Sequence, residues 1–443
     1  MDERDSQKIV MELSLNHTLQ DEAGTVLSSG EANASLDDRY LSIRPDLGEP
    51  WIFSLADIVG ISEEDYKIDV FLTSKMKLAL SELGFRYEDF LTTLYRLRNE
   101  LLLRYMLMDE KLRERGVEAS FVQYNDAGEE EFGGTCELRL YETALLVLPQ
   151  KGEPLRTPYS YITGFREEDY SIVVDTESKE RLVFAQMGEK RDFFKRKLSE
   201  AMAELSQRTQ SMIKEMLPEA DPMKVEKLAS LMRDGKAAKR SDIESVSKGF
   251  WTQLERRVEA AGLKEEYDFL EEMSQRERIC IGVKRGLLGD LTGDYIWFLI
   301  PIYGTAPNET GNAVAMEAVS EEGEAGATYF LRLVGRKDYQ NYGDVETLHG
   351  EFDRFVKAVN RCMIDIDFRR EPIYLTDDAL GDPKYARCRF AEQKLPSLRT
   401  LRGLFIGRVI HSSIEQWKED VTELLKFNVG TPEDSAKWRK GAE

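Results

Sequence analysis

The chain is nearly without histidine: three in 443 residues, at positions 17, 349 and 411, each in a different region. General acid–base chemistry draws on histidine more than on any other side chain, and metal sites cluster it. These three are read as surface residues. His349 lies near Glu351 and Asp353 on a helical stretch, but no His, Cys, Asp and Glu group has ligand spacing. Cysteine is scarce as well: Cys136, Cys280, Cys362 and Cys388 form no C-x-x-C pair, which leaves neither a zinc site nor a disulfide framework. The hydrolase, metalloprotease and dinucleotide signatures G-x-S-x-G, H-E-x-x-H and G-x-G-x-x-G are absent too. Neither a catalytic residue, a metal site nor a cofactor is expected.

Long apolar runs are also missing. The longest, "ALLVLP" and "IWFLIPIYG", fall far short of the roughly 20 residues that cross a bilayer. The opening "MDERDSQKIV" is acidic where an export signal needs a basic start. A cytoplasmic protein is expected. Positive charge is in deficit, with 61 basic against 82 acidic residues and a formal charge of −21. Such a field repels phosphate polyanions and anionic lipid, so nucleic acid and membrane are not the expected partners and a basic protein surface is. The local run Lys190, Arg191, Lys195, Arg196 and Lys197 reads as a solvated helix face.

What the chain does contain is a repeat. Pro50 recurs as Pro154, 104 positions on, and the same ungapped shift superposes Ala23-Gly24 on Ala127-Gly128, Gly30 on Gly134, and Pro45 on Pro149. It also pairs Gly48-Glu49-Pro50 with Gly152-Glu153-Pro154, Gly60 with Gly164, and Glu63-Glu64-Asp65-Tyr66 with Glu167-Glu168-Asp169-Tyr170. Ser74-Lys75, Gly84, Phe90 and Leu94 match Ser178-Lys179, Gly188, Phe194 and Leu198. The matched residues are mostly glycine, proline and turn acids, the types that fix backbone conformation. Each copy reads as strands ("YLSIRP" and "LLVLP", "YKIDVFL" and "YSIVVD", "MKLALSEL" and "RLVFAQM"), then as a helix on the stripe Phe90, Leu94, Leu97, Leu101, Met108 or Phe194, Leu198, Met202, Leu205. Glu63, Glu64 and Asp65 are placed in a hairpin connection. As a calcium cage they would lack both ligand number and EF-hand order.

Strands closed by one helix within about 100 residues suggest a small β-sandwich or partial barrel. With "GEP" and "G-x-x-EEDY", that order resembles the pleckstrin-homology-like (PH-like) superfold over residues 8–215. The resemblance implies two tandem interaction modules. The turns "QDEAG" and "YNDAG" are acidic where lipid-binding members of that superfold carry lysine and arginine, and neither closing helix has their tryptophan.

Beyond the repeat, Asp221-Pro222 opens an amphipathic helix stopped by Gly235, and Ser241-Asp-Ile-Glu244 reads as a capping box for a helix reaching Ala261, closed by Gly262. The strand pattern returns at "RICIGV", "DYIWFLIPIYG", "NAVAMEAVS" and "ATYFLRLVG". A helix then runs on Val345, Leu348, Phe352, Phe355, Val359 and Met363. Ser413-x-x-Gln416 caps a last helix on Ile414, Trp417, Val421 and Leu424. The expectation is an α+β chain: PH-like units at 1–112 and 113–217, a helical connector at 218–275, an α+β domain at 276–430 and a flexible tail at 431–443. A diverged third PH-like unit is an open alternative for 276–430.

Two stretches carry candidate chemistry. "KRGLLGDLTGDY" sets Lys284 and Arg285 beside Gly286, Gly289 and Gly293, a loop able to offer N–H groups to phosphate but lacking the P-loop ending and a following helix. In "MIDIDF", Asp365 and Asp367 share a face if extended, and Arg369 and Arg370 stand ready to neutralise them. The function expected is a non-enzymatic scaffold or adaptor. The alternatives are a nucleotide- or phosphate-binding enzyme or sensor on the glycine loop, and a peripheral membrane adaptor.

Overall fold

The computed structural model describes residues 9–105, 110–285, 295–304, 311–320, 326–339 and 344–430. Two compact units divide the chain, Met1–Leu198 and Ser199–Glu443.

The first unit holds the sheets of both repeats, the first closing helix and the start of the second. In the first repeat, β1 (Met11–Gln20), β2 (Val26–Leu36), β3 (Tyr40–Pro45), β4 (Trp51–Ser54), β5 (Ile58–Glu64), β6 (Lys67–Leu72) and β7 (Lys77–Ser81) precede α1 (Tyr87–Tyr105). In the second, β8 (Leu112–Tyr124), β9 (Glu130–Tyr141), β10 (Ala144–Pro149), β11 (Leu155–Pro158), β12 (Ile162–Glu168), β13 (Ser171–Thr176) and β14 (Arg181–Ala185) precede α2 (Lys190–Met216). Each set forms a curled antiparallel sheet in which the first strand pairs with the seventh: β4-β3-β2-β1-β7-β6-β5 and β11-β10-β9-β8-β14-β13-β12. Two curled sheets with a helix after each are consistent with the PH-like resemblance.

The duplication extends to the backbone. The positive-φ residues of the first repeat, Gly24, Gly30, Gly48, Asp65, Tyr66, Lys75, Glu82 and Gly84, all recur 104 positions later, from Gly128 to Gly188. The bulge after Ile58 recurs after Ile162. Asp65-Tyr66 and Asp169-Tyr170 are two-residue hairpin loops with both φ values positive, 48° and 60° against 44° and 66°, the geometry of a type I′ turn. The loop is shorter than its acidic sequence suggests, because Glu63 and Glu64 still pair within β5. Alternation fills the interior: Leu15, Leu19, Ile43, Val70 and Leu80 bury one sheet face against Phe90, Leu94 and Leu101 of α1, at roughly 1.5–3 kcal/mol for each large side chain.

The second unit begins within α2. Its helices α3 (Pro222–Leu231), α4 (Arg240–Val246), α5 (Lys248–Ala260) and α6 (Lys264–Glu272) lead into a sheet of β15 (Ala238–Lys239), β16 (Cys280–Lys284), β17 (Tyr295–Ile302), β18 (Ala313–Ser320), β19 (Ala327–Arg332) and β20 (Phe405–Ile410), hydrogen-bonded in sequential order. Between β19 and β20 come α7 (Arg336–Tyr339), α8 (Val345–Asp365), α9 (Glu371–Tyr374), α10 (Asp377–Leu380), α11 (Ala386–Lys394) and α12 (Pro396–Leu404); α13 (Ile414–Gly430) follows. The connector helices share one core with this sheet, Leu228, Trp251 and Leu254 packing with Ile281, Phe298, Trp417 and Leu424. The other sheet face is covered too: Trp297 meets Phe368 after α8, and Tyr303 meets Phe352 within it. Burial on both faces explains the unbroken apolar run of β17. First-to-seventh strand pairing, the mark of the two repeats, does not occur in this sheet.

Three local expectations are corrected. Ser241 lies inside α4, whose N-cap is Lys239, because the Glu244 side chain is taken by Arg240 Nε at 2.9 Å. The helix expected to reach Ala261 breaks at Ser247, which is extended (φ −159°), in a stretch of poor helix formers ahead of Gly249. Residues 238–239, expected in helical surroundings, form an edge strand on β16. By contrast, Asp221 caps α3 through the N–H of Met223 at 2.8 Å, and Ser413 Oγ accepts from the N–H of Gln416 at 3.3 Å.

Candidate functional site

The site is built from one tripeptide used twice. Gly152-Glu153-Pro154, between β10 and β11, sits against α1 of the preceding repeat. Arg98 is 1% exposed. Its Nε and Nη2 donate to the Ile58 carbonyl at 3.1 and 3.0 Å, and Nη2 donates to Glu153 Oε1 at 2.7 Å. Asn99 Nδ2 donates to the Gly152 carbonyl at 2.9 Å. Lys151 reaches Glu63 at 2.8 Å and Glu88 at 3.1 Å. Leu103 packs on Leu146 and Leu148. On the neighbouring edge strand, Arg156 meets Glu110 of the inter-repeat linker at 2.6 Å with both side chains 9% exposed. Burial raises the pKa of Glu110, but the Arg156 charge and the bonds from Thr143 and Arg156 outweigh it, so the carboxyl lies below its ordinary range.

The first repeat carries the same tripeptide with its glycine in the same left-handed region, φ +118° at Gly48 against +116° at Gly152. Here residues 46–50 are all exposed. Leu47, the counterpart of Lys151, is 93% exposed, and Ile52, the counterpart of Arg156, is 64% exposed. Glu49 and Arg44 have no partner among the described residues. Sequence reading found both tripeptides as turn markers but gave no sign that one is covered and the other bare.

Between α1 and strands β8–β10 lies an open cleft of about 550 Å³, lined by Thr92, Arg96, Asn99, Glu118, Cys136 and Gln150 among others. Burial pushes the Cys136 thiol up to about 12, so it is no nucleophile at neutral pH.

The glycine-loop candidates fall in the second unit. Lys284 ends β16 and is buried; it forms an ion pair with Asp367, and its Nζ lies 5.1 Å from the centre of the Phe368 ring. Arg285 makes two bonds to the Glu215 carboxylate, at 3.0 and 2.6 Å. The cavity beside them, lined by Leu205, Asp234, Gly235 and Val283 among others, has about 20 Å³, room on the scale of one water. Gly286, Gly289 and Gly293 lie outside the described residues, as do Met108 of the first closing helix's stripe and the tail after residue 430. Asp365 and Asp367 do not share an extended face. α8 runs through Asp365, left-handed Asp367 and Phe368 reverse the chain, and Asp365 accepts from Ser397 at 3.0 Å while Asp367 turns to Lys284. Arg370 donates to the Ala318 carbonyl. The two motifs that sequence kept apart thus meet as one ion pair.

The histidines correct their expectation. His17 is 2% exposed, donating from Nδ1 to the Gly30 carbonyl and accepting at Nε2 from Ser28, both at 2.8 Å. His349 Nδ1 shares a hydrogen bond with the Tyr303 hydroxyl at 2.8 Å. His411 Nε2 donates to Glu317 Oε2 at 3.2 Å, and Thr328 donates to the same oxygen at 2.6 Å. Glu317 is fully buried. The basic run on α2 is largely paired with acids, Lys195 with Glu167 at 2.8 Å and Lys197 with Glu114 at 3.6 Å. Among the described residues no group of three or more His, Cys, Asp or Glu could hold a metal, and no helix is long and apolar enough to cross a membrane.

No protein-family model matches the chain, and no curated protein matches it. Among solved structures, one described as "Structure of the Spt16D Pob3N heterodimer" covers 38% of this chain and 85% of that chain at 14% identity, with a TM-score of 0.17. At that score the likeness bears on neither fold detail nor function.

Proposed function

We propose that the chain is a non-enzymatic scaffold that binds a protein partner with a basic surface, and that the first repeat supplies the binding face. One observation supports this above the rest: a Gly-Glu-Pro loop that packs against α1 in the second repeat is exposed in the first, with Leu47 and Ile52 facing solvent. An exposed leucine alone needs no explanation. Exposed apolar residues where the duplicated copy makes an interface do. The formal charge of −21 favours a cationic partner.

The phosphate-site alternative would require displacing Asp367 and Glu215 from Lys284 and Arg285. Nothing further favours it. The scaffold reading is tested by placing a photoreactive residue at position 47 or 52 of the full chain in its native cell, purifying the protein it captures and reconstituting the pair. A saturable complex with the wild-type chain, lost with Leu47→Lys and Ile52→Lys together, is expected. Equal binding by wild type and the double variant would refute it.

A further inference from the structure

The first repeat's bare loop has a template for its occupant inside the same molecule. We infer that Leu47-Gly48-Glu49-Pro50 and Ile52 receive a helix of a separate protein that presents an arginine followed by an asparagine, as α1 presents Arg98-Asn99 to Gly152-Glu153-Pro154. This rests on the scaffold reading and specifies the partner's chemistry.

The matching groups are already in place. Glu49 corresponds to Glu153, which accepts from Arg98 at 2.7 Å, and the Gly48 carbonyl corresponds to that of Gly152, which accepts from Asn99 at 2.9 Å. With φ at +118° and +116° the two glycines make the same left-handed turn, so Gly48 and Glu49 hold the places in the first repeat that Gly152 and Glu153 hold in the second. Pro154 is buried, and Pro50 is exposed.

No helix of a second copy fits the role, because Arg98-Asn99 is the one Arg-Asn pair in the sequence. α1 already commits Arg98 and Asn99 to its own chain. α2 carries Met202 and Ala203 at the corresponding positions, with neither the cation nor the amide. The occupant is therefore another protein, which agrees with the molecule's excess of acid.

Departures between the two loops predict how that helix differs from α1. Where Lys151 meets Glu63 and Glu88, the first repeat has Leu47, so the partner places an apolar side chain in the position of Glu88. Where Leu146 and Leu148 meet Leu103, the first repeat has Ser42 and exposed Arg44, so the partner places an acid in the position of Leu103.

The test uses the full-length chain and a defined probe, a side-chain-stapled, fluorescent peptide of residues 87–105 carrying Glu88→Leu and Leu103→Glu. Anisotropy titration is expected to show saturable binding, weakened about tenfold by Glu49→Gln and by Leu47→Lys, the scale of losing one charge-assisted contact, and unchanged by Glu131→Gln, a surface control. A peptide with Arg98→Glu is expected to lose binding to wild type and recover it with Glu49→Arg. No saturable binding, or affinity indifferent to Glu49, overturns the inference. If the cellular partner still needs Leu47 and Ile52 while Glu49→Gln leaves its affinity unchanged, the scaffold reading stands and the arginine–asparagine helix falls. If the partner ignores Leu47 and Ile52 as well, both fall.

Discussion

Gly48 and Gly152 share sequence neighbours and backbone conformation, yet their surroundings differ in a way a single substitution exposes. Alanine at either position incurs strain of about 1–3 kcal/mol for a positive φ. At Gly48 a new Cβ meets nothing within 4 Å; at Gly152 it falls 2.4 Å from the Phe132 ring. That ring is itself held edge-on by Phe121 at 5.4 Å, so relief means repacking, at a further ~1–3 kcal/mol. Gly152→Ala is expected to cost about twice what Gly48→Ala costs in urea denaturation. Equal costs would mean that Phe132 swings away freely. At this scale sequence was informative where backbone geometry dictates residue type: the glycines found at positive φ and the Asp-Tyr turns are among the matches that carried the 104-residue register. It was silent where a side chain's partner is remote, since nothing local to Asp367 points to Lys284, 83 positions away.

Elements were legible when their own period or caps define them and hidden when neighbours do. β3, β6 and β7, their counterparts β10, β13 and β14, and both closing helices follow from strand pattern and from the Phe90 and Phe194 stripes. β20 was missed because "FIGRVI" carries a glycine and follows directly on α12; its strand character comes from pairing with β19. That pairing is locked at the strand's end by Thr328 of β19, Glu317 of β18 and His411 beyond β20. Burial raises the Glu317 pKa above its ordinary value, an effect the bonds from His411 and Thr328 only partly offset. For His411, burial lowers the pKa, but the bond and charge of Glu317 outweigh it, so the folded value lies above the ordinary 6.5. A histidine so raised contributes stability in full below about 6.5 and loses it as pH climbs through the folded value. The raised Glu317 acts with the same sign, favouring the fold at lower pH. The melting-temperature gap between wild type and His411→Gln is expected to be widest just below neutrality and to narrow in alkali. A gap that widens with pH would show that the neutral imidazole is the form the fold prefers.

Across the whole molecule, charge sets the balance between long-range repulsion and contact pairing. The formal excess of 21 negative charges disfavours compaction, while close ion pairs such as Lys151–Glu63 at 2.8 Å and Arg156–Glu110 at 2.6 Å favour it. Salt acts on the two unequally. Raising ionic strength from about 0.01 M to 0.15 M shortens the screening length from roughly 30 Å to 8 Å. Repulsions between charges tens of ångströms apart are then removed, whereas contact pairs, several partly buried, are screened far less. Exposed pairs have little to lose, at about 0–1 kcal/mol each. Moderate sodium chloride is therefore expected to raise the melting temperature, with most of the gain complete by physiological strength. Scanning calorimetry across a salt series checks the sign, and a steady fall in melting temperature would mean that the contact pairs, rather than the acidic excess, govern the stability of this chain.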